Sequence, residues 1–166
     1  LPTSALDRGF FVKKTMRAVS PDALPAALRT ADARGTSTFA AGDLVLVDLH
    51  VIATEPRRQV VVDDPLPAGV EAMDTRFATT GGAARAAADA EPEDDEGKGA
   101  PGPTHREVHD DRVLLFFESL PVGVFHTRYL ARATTRGRFL VPPTRAECMY
   151  EPEVFGRTAG QVVEIR

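Results

Sequence analysis

The chain has 166 residues, a formal net charge of −4, one cysteine, 13 glycines and 13 prolines. This length supports one domain with a real core, and the negative charge argues against a nucleic-acid partner, which would favour a basic surface. The single cysteine excludes an internal disulfide framework, and no apolar run approaches the roughly 20 residues that cross a bilayer.

The N-terminal part of the sequence predicts short strands separated by turns. Residues 10–19 predict an opening strand with Lys13, Lys14 and Arg17 at its solvent-facing positions, and residues 20–38 predict a loop or a short helical turn. Because Leu1 is neither an initiator methionine nor part of a signal peptide, we expect the chain to be a segment of a larger precursor.

Residues 44–54 give the clearest strand signal. Hydrophobic side chains alternate there with Asp48 and His50, which is the two-residue period of a half-buried strand. The next strand begins at Gln59 and ends in the turn-rich stretch 64–69. A further short strand is predicted over residues 70–77.

Residues 81–103 differ in composition from the rest of the chain. Glycine and alanine dominate first, and six carboxylates follow between residues 89 and 96. Such a tract cannot bury enough apolar surface to offset its ordering entropy, so it predicts a mobile, solvated loop. The carboxylates also lack the spacing of a calcium-binding loop.

Strand signals resume at residues 105–108, and the unbroken apolar run 113–117 is typical of a strand covered on both faces. Residues 124–133 and 138–141 predict a hairpin, and residues 161–166 a last strand. Together the elements predict one antiparallel β-sandwich domain over residues 1–166, with residues 81–103 as an inserted loop. The side chains predicted to face its core are Val45, Val47, Leu49, Val51, Val61, Leu115, Phe117, Phe125 and Tyr129.

The best candidate metal cluster is His105, Glu107, His109 and Asp111, which would share one face of a strand. Same-face neighbours on one strand lie about 7 Å apart, and the spacing is not the His-Glu-x-x-His motif of zinc hydrolases. We therefore expect no metal site or cofactor, and a metal-dependent hydrolase using His105 and His109 is the weakest of the functional hypotheses.

No catalytic constellation is found elsewhere in the sequence. Cys148 lacks a Cys-x-x-Cys partner, and no Gly-x-Ser-x-Gly elbow exists. The neighbouring carboxylates 63–64 and 110–111 would point to opposite faces of a strand, so capping and turn roles suit them better than acid–base catalysis. We expect the chain not to be an enzyme.

Met149 and Tyr150 follow the strand that ends at Pro142 and Pro143, and they are predicted to lie on an irregular segment. A phenol beside a flexible thioether makes an apolar cover with one polar handle. The residues alone leave two interpretations open: a contact surface for a partner, or a plug for the open end of the sandwich.

Several stretches together resemble the C-terminal macroglobulin-like domain of bacterial alpha-2-macroglobulins, and the similarity covers nearly the whole chain. The most specific are Asp-Pro-Leu-Pro-Ala-Gly at residues 64–69 and the pattern Pro-Pro…Met-Tyr-x-Pro-Glu…Gly-Arg over residues 142–157. The acidic tract is where this sequence departs most from the family pattern.

The resemblance implies a non-enzymatic domain of a protease trap. In that family a protease cuts a bait region and is trapped, and many members carry a thioester formed within a Cys-x-Glu-Gln motif of a neighbouring helical domain. Cys148 is followed by Met149-Tyr150-Glu151, so this chain cannot form the thioester itself. The resemblance assigns to Met149 and Tyr150 the task of covering the thioester and excluding water.

The same resemblance implies the partners and the location. The partners would be the thioester and macroglobulin-like domains of the parent chain, together with the proteases that the parent captures. The location would be the periplasm or cell envelope, with the parent anchored through its N-terminal part. The alternative hypothesis is a generic β-sandwich module for adhesion or ligand binding in a surface protein, which repeated sandwich modules upstream would support.

Overall fold

The computed structural model describes residues 4–20, 22, 37–73 and 102–166, and all regular structure within them is β-strand. The predicted mobile loop 81–103 lies outside the described residues except for positions 102 and 103. No helix in the described part could cross a membrane. The strands are β1 (Leu6–Arg8), β2 (Phe10–Val19), β3 (Thr38–Phe39), β4 (Leu44–Ala53), β5 (Arg57–Pro65), β6 (Val70–Ala72), β7 (His105–Val108), β8 (Arg112–Leu120), β9 (Gly123–Ala133), β10 (Gly137–Val141), β11 (Arg145–Cys148), β12 (Glu151–Arg157) and β13 (Gln161–Ile165).

The strands form three sheets, and the two larger ones pack face to face. The six-stranded sheet has the order β1-β12-β11-β5-β8-β7, and the four-stranded sheet has the order β2-β4-β9-β6. A three-stranded sheet, β10-β13-β3, contains the parallel pair β13–β3. The predicted all-β sandwich with antiparallel sheets is confirmed.

The core lies between the two larger sheets, and strand alternation determines which side chains enter it. All of the predicted core residues are buried except Val61. Val60 and Val62 are fully buried instead. The prediction therefore assigned the wrong set of alternate residues in β5 to the core. A run of three valines carries no alternation from which the inward face could be read.

Two other predictions were wrong because the partners are distant in sequence. β10 does not form a hairpin with β9 but pairs with β13. The backbone amide of Thr134 donates to the carbonyl oxygen of Gly69 at 2.8 Å, which extends the pairing of β9 with the start of β6 by one residue. Lys14, predicted to face solvent, is only 6% exposed.

Lys14 is buried because its ammonium group contacts the carboxylate of Asp64 between the two sheets. The Lys14 Nζ to Asp64 Oδ1 distance is 2.7 Å, and Lys14 Nζ also donates to the carbonyl oxygen of Pro65 at 3.0 Å. The hydroxyls of Tyr129 and Thr144 donate to the same carboxylate. Asp64, predicted to serve a turn or a cap, is therefore the centre of a buried polar network.

Two glycines of the recognisable sequence stretches lie where a Cβ atom would not fit. A Cβ on Gly69 would lie 2.4 Å from Phe139 Cε2 and 2.8 Å from Ile165 Cδ1. A Cβ on Gly156 would lie 1.9 Å from the backbone oxygen of Phe10. The first glycine lets the three-stranded sheet approach the turn before β6, and the second lets β12 cross closely over the start of β2.

Replacing Asp64 by alanine should lower the free energy of unfolding by about 3–5 kcal/mol, because it leaves the Lys14 ammonium buried without its partner. Asp63→Ala is the matched control, because Asp63 pairs with Arg112 at a site where both side chains are about two-fifths exposed. That change should cost less than about 1 kcal/mol. Urea unfolding of both variants measures the difference, and equal losses would contradict the central role of Asp64.

Tyr129 should make the stability of the fold fall at alkaline pH. Burial, the charge of Asp64 and the hydrogen bond to Asp64 hold the pKa of Tyr129 well above its usual value. A raised pKa favours the protonated phenol in the folded state, so its contribution is complete below about pH 10 and is lost at about 1.4 kcal/mol per pH unit above it. Unfolding free energies measured between pH 8 and 11 should show this slope, and Tyr129→Phe should remove it.

Candidate functional site

Met149 and Tyr150 form the two-residue connection between β11 and β12. Cys148 and Glu151 face each other across it, so both flanks are strands of the six-stranded sheet. The expectation of an irregular segment is wrong. Tyr150 is 80% exposed and Met149 is 47% exposed. The pair therefore projects from the sheet and does not plug the sandwich.

The backbone fixes the position of this turn. The amide of Met149 donates to the carbonyl oxygen of Gln59 in β5 at 2.8 Å. Gln59 has a φ of 51°, the one positive value at a non-glycine position in the described part of the chain. Such a conformation is uncommon for a residue with a side chain and persists where the surroundings impose it. The register shift between Glu147 and Cys148 lies beside the same turn.

The thiol of Cys148 lies beside the turn but is not available for chemistry. The residue is 3% exposed, and burial raises the pKa of the thiol, with Arg57 acting in the opposite direction and Glu151 and Glu153 reinforcing the shift. A protonated, enclosed thiol is a poor nucleophile. Cys148 contributes to the hydrophobic core instead.

The end of the sandwich that carries the turn also carries most of the exposed large hydrophobic side chains. Cys148 pairs with Val60 near the start of β5, and β8 ends at the same level before the turn into β9. Phe11, Ile52 and Val124 lie side by side across β2, β4 and β9. Six of the eight large hydrophobic side chains exposed in the described residues belong to this end: Phe11, Ile52, Val122, Val124, Met149 and Tyr150.

An electrostatic cluster lies next to the apolar row, on the outer face of the four-stranded sheet. The imidazole of His126 lies 3.0 Å from a carboxylate oxygen of Asp48, Arg128 also bonds Asp48, and Arg17 lies 3.5 Å from it. The ring of His50 stacks on that of His126 with centroids 4.1 Å apart. Alternation placed Asp48 and His50 on this face, but their partners on β9 could not be read from local sequence.

Asp48 is ionised within this cluster although it is buried. Burial alone would raise the pKa of its carboxyl, but hydrogen bonds from His126 and Arg128 and the charges of Arg128 and Arg17 outweigh that effect, so the pKa lies below its usual value. The face of β4 that carries Asp48 and His50 therefore holds an enclosed charge cluster around Asp48.

Three residues of the candidate metal cluster, His105, Glu107 and His109, are in direct contact through Glu107. The side chain of Glu107 lies between two imidazoles, 3.4 Å from His105 Nε2 and 3.2 Å from His109 Nε2. All three side chains are about two-fifths exposed or more. Within the described residues, no group of three or more His, Cys, Asp or Glu side chains is arranged to hold a metal ion.

Comparison with known proteins decides the family. Residues 9–153 match the model of the bacterial alpha-2-macroglobulin MG10 domain. The chain belongs to this family. The predicted resemblance to macroglobulin-like domains of bacterial alpha-2-macroglobulins is confirmed.

The relatives are much longer than this MG10 domain. An alpha-2-macroglobulin homolog from Nostoc is 37% identical over 122 residues, which cover 74% of this chain and 6% of that protein. A Salmonella alpha-2-macroglobulin reacted with methylamine has the same fold, with a TM-score of 0.72 and 21% identity over 99% of this chain and 10% of its own. An Escherichia coli alpha-2-macroglobulin activated by trypsin gives a TM-score of 0.73 and 23% identity over 98% of this chain and 11% of its own.

The isolated MG10 domain should show no hydrolase activity and no stabilisation by zinc or calcium. Glu107 already contacts both neighbouring imidazoles, and the Cys148 thiol is enclosed. An ion bound to the native state at a hundred times its Kd would add about 2.7 kcal/mol to stability. Thermal melts with and without each ion, and peptide, ester and glycoside assays, check this expectation. A higher Tm that His105→Ala abolishes would contradict it.

Proposed function

We propose that this chain is the C-terminal macroglobulin-like domain of a bacterial alpha-2-macroglobulin-type protease inhibitor. Its Met149–Tyr150 turn packs over the thioester region of a neighbouring helical domain of the same parent chain. The observation that carries the proposal is the outward position of this pair, with Tyr150 80% exposed on a turn that the backbone holds in place. Membership in the MG10 family supports the type of parent protein.

The chemistry of a thioester explains why such a cover is needed. A thioester exposed to water or to small amines would be opened before any protease arrived, so its surroundings must exclude them. A phenol and a thioether supply a large apolar contact with one hydroxyl group at its edge. The enclosed thiol of Cys148 supports the view that the reactive cysteine lies in another domain.

The surface around the turn supports a domain contact larger than two side chains. The apolar row of Phe11, Ile52 and Val124 and the neighbouring Val122 lie at the same end of the sandwich. Several exposed apolar side chains at one end of a domain are typical of an interaction site. We place the boundary with the thioester domain there.

The proposal for the parent protein follows its relatives. One Salmonella relative was crystallised after reaction with methylamine and one Escherichia coli relative after activation by trypsin. We extend both properties to the parent of this chain: proteases are its targets, and a small amine can reach its thioester. The domain itself performs no catalysis, and the parent acts in the periplasm or cell envelope, anchored through its N-terminal part. Fractionation of cells that express the parent tests the location.

In a parent that carries a Cys-x-Glu-Gln thioester, Tyr150→Ala or Met149→Ala should speed thiol release by methylamine before any protease is added. Each 1.4 kcal/mol by which a substitution lowers the activation free energy of thioester opening corresponds to about a tenfold faster reaction. Thiol release from the intact parent is measured with and without methylamine. Leu140→Ala is the matched control, because Leu140 is 41% exposed on the three-stranded sheet. Equal rates of thiol release from the wild type and all three variants would contradict the proposal that Met149 and Tyr150 cover the thioester.

The same substitutions should leave the stability of the isolated domain almost unchanged. Truncating exposed side chains such as Tyr150 should cost less than about 0.5 kcal/mol. Phe117→Ala, which removes a core ring, should cost about 3–5 kcal/mol. Urea unfolding of the variants gives both values. A large loss from Tyr150→Ala would show that the residue supports its own domain.

A further inference from the structure

The buried pair Lys14 and Asp64 brings an amine-bearing and a carboxyl-bearing side chain into contact between two sheets. The two groups are 2.7 Å apart, and their side chains are 3% and 0% exposed. Lys14 lies on β2 of the four-stranded sheet, and Asp64 lies on β5 of the six-stranded sheet. The facing sheets therefore hold an amine against a carboxyl group at contact distance and away from water.

We propose that Lys14 and Asp64 become joined by an intramolecular isopeptide bond once the sandwich has folded. The site is separate from the Met149–Tyr150 turn and does not depend on the function proposed for it. The product would be a covalent crosslink between the two sheets, and the charged pair described above is the state of the folded chain before the bond forms.

The surroundings of the pair favour amide formation in two ways. The pair is enclosed between the two sheets, so water does not compete with the amine for the carboxyl carbon. The hydroxyl of Thr144 donates to Oδ1 and that of Tyr129 to Oδ2 of the same carboxyl. Donors fixed on these oxygens stabilise the negative charge that develops when the amine adds to the carbon.

The reaction needs no further reagent. The lone pair of Lys14 Nζ forms a bond to Asp64 Cγ, and the bond from Cγ to Oδ2 breaks. Oδ1 remains as the amide oxygen with Thr144 as its donor. Oδ2 leaves as water with two of the three ammonium hydrogens, and the third stays on the amide nitrogen. Tyr129, which contacts the leaving oxygen, relays a proton to it and ends the reaction unchanged.

Peptide mass spectrometry of the parent polypeptide, denatured and digested with trypsin, tests the bond. A modified Lys14 is not cleaved, so residues 14–17 should appear joined to residues 59–76, lighter than the two peptides together by one water molecule. Without the bond, trypsin releases residues 59–76 as a linear peptide. Linear peptides alone from the wild-type protein would overturn the proposal, whatever the variants do.

Four variants give matched comparisons. Lys14→Arg keeps a cation and should abolish the branched peptide. Asp64→Asn should give the same branched peptide, because ammonia then leaves in place of water. Tyr129→Phe should lower the branched fraction several-fold at equal times after folding, and an unchanged fraction would contradict the relay role of Tyr129. Asp63→Asn, which alters the neighbouring outward carboxyl, should leave the branched fraction at the wild-type level.

Discussion

The carboxylate of Asp64 is the point on which the arrangement of the two large sheets depends. It receives donors from β2, from β9 and from Thr144 just before β11. A slip of β5 by one residue would turn Asp63 inward and Asp64 outward, and would leave Lys14 buried without its partner. Burial of such a pair costs free energy of desolvation, which offsets part of its attraction, but any other register would leave a charge buried without its partner.

The sequence predicted the fold class well because strand alternation is a local signal. In β4, four alternating hydrophobic residues identified the inward face, and all of them are buried. In β5 the same reasoning failed at Val61, where three valines in a row leave the parity open. The inward position of Asp64 would have decided it, but two adjacent aspartates do not reveal which one is buried. Lys14 was wrongly predicted to face solvent because its partner Asp64 lies 50 residues away in the sequence.

The candidate site was only partly predictable. The residue types of Met149 and Tyr150 marked them as a candidate contact surface, and the family resemblance added the covering role. No local pattern indicated that β11 and β12 would hold them in a tight turn. The cluster around Asp48 was also hidden, because His126 and Arg128 lie 78 and 80 residues further along the chain. Contacts of this kind follow from the pairing of β4 with β9, which has no turn sequence between the two strands to indicate it.

The turn at residues 149–150 is held by a bond between peptide groups, from the amide of Met149 to the carbonyl of Gln59. Neither side chain of the turn takes part in that bond, so the turn would keep its place with other residues at its tip. Natural variation at these two positions could therefore change what the domain touches while its folding stayed the same. A surface of this kind can adapt to a changing neighbour by single substitutions, which a contact built from core residues could not do.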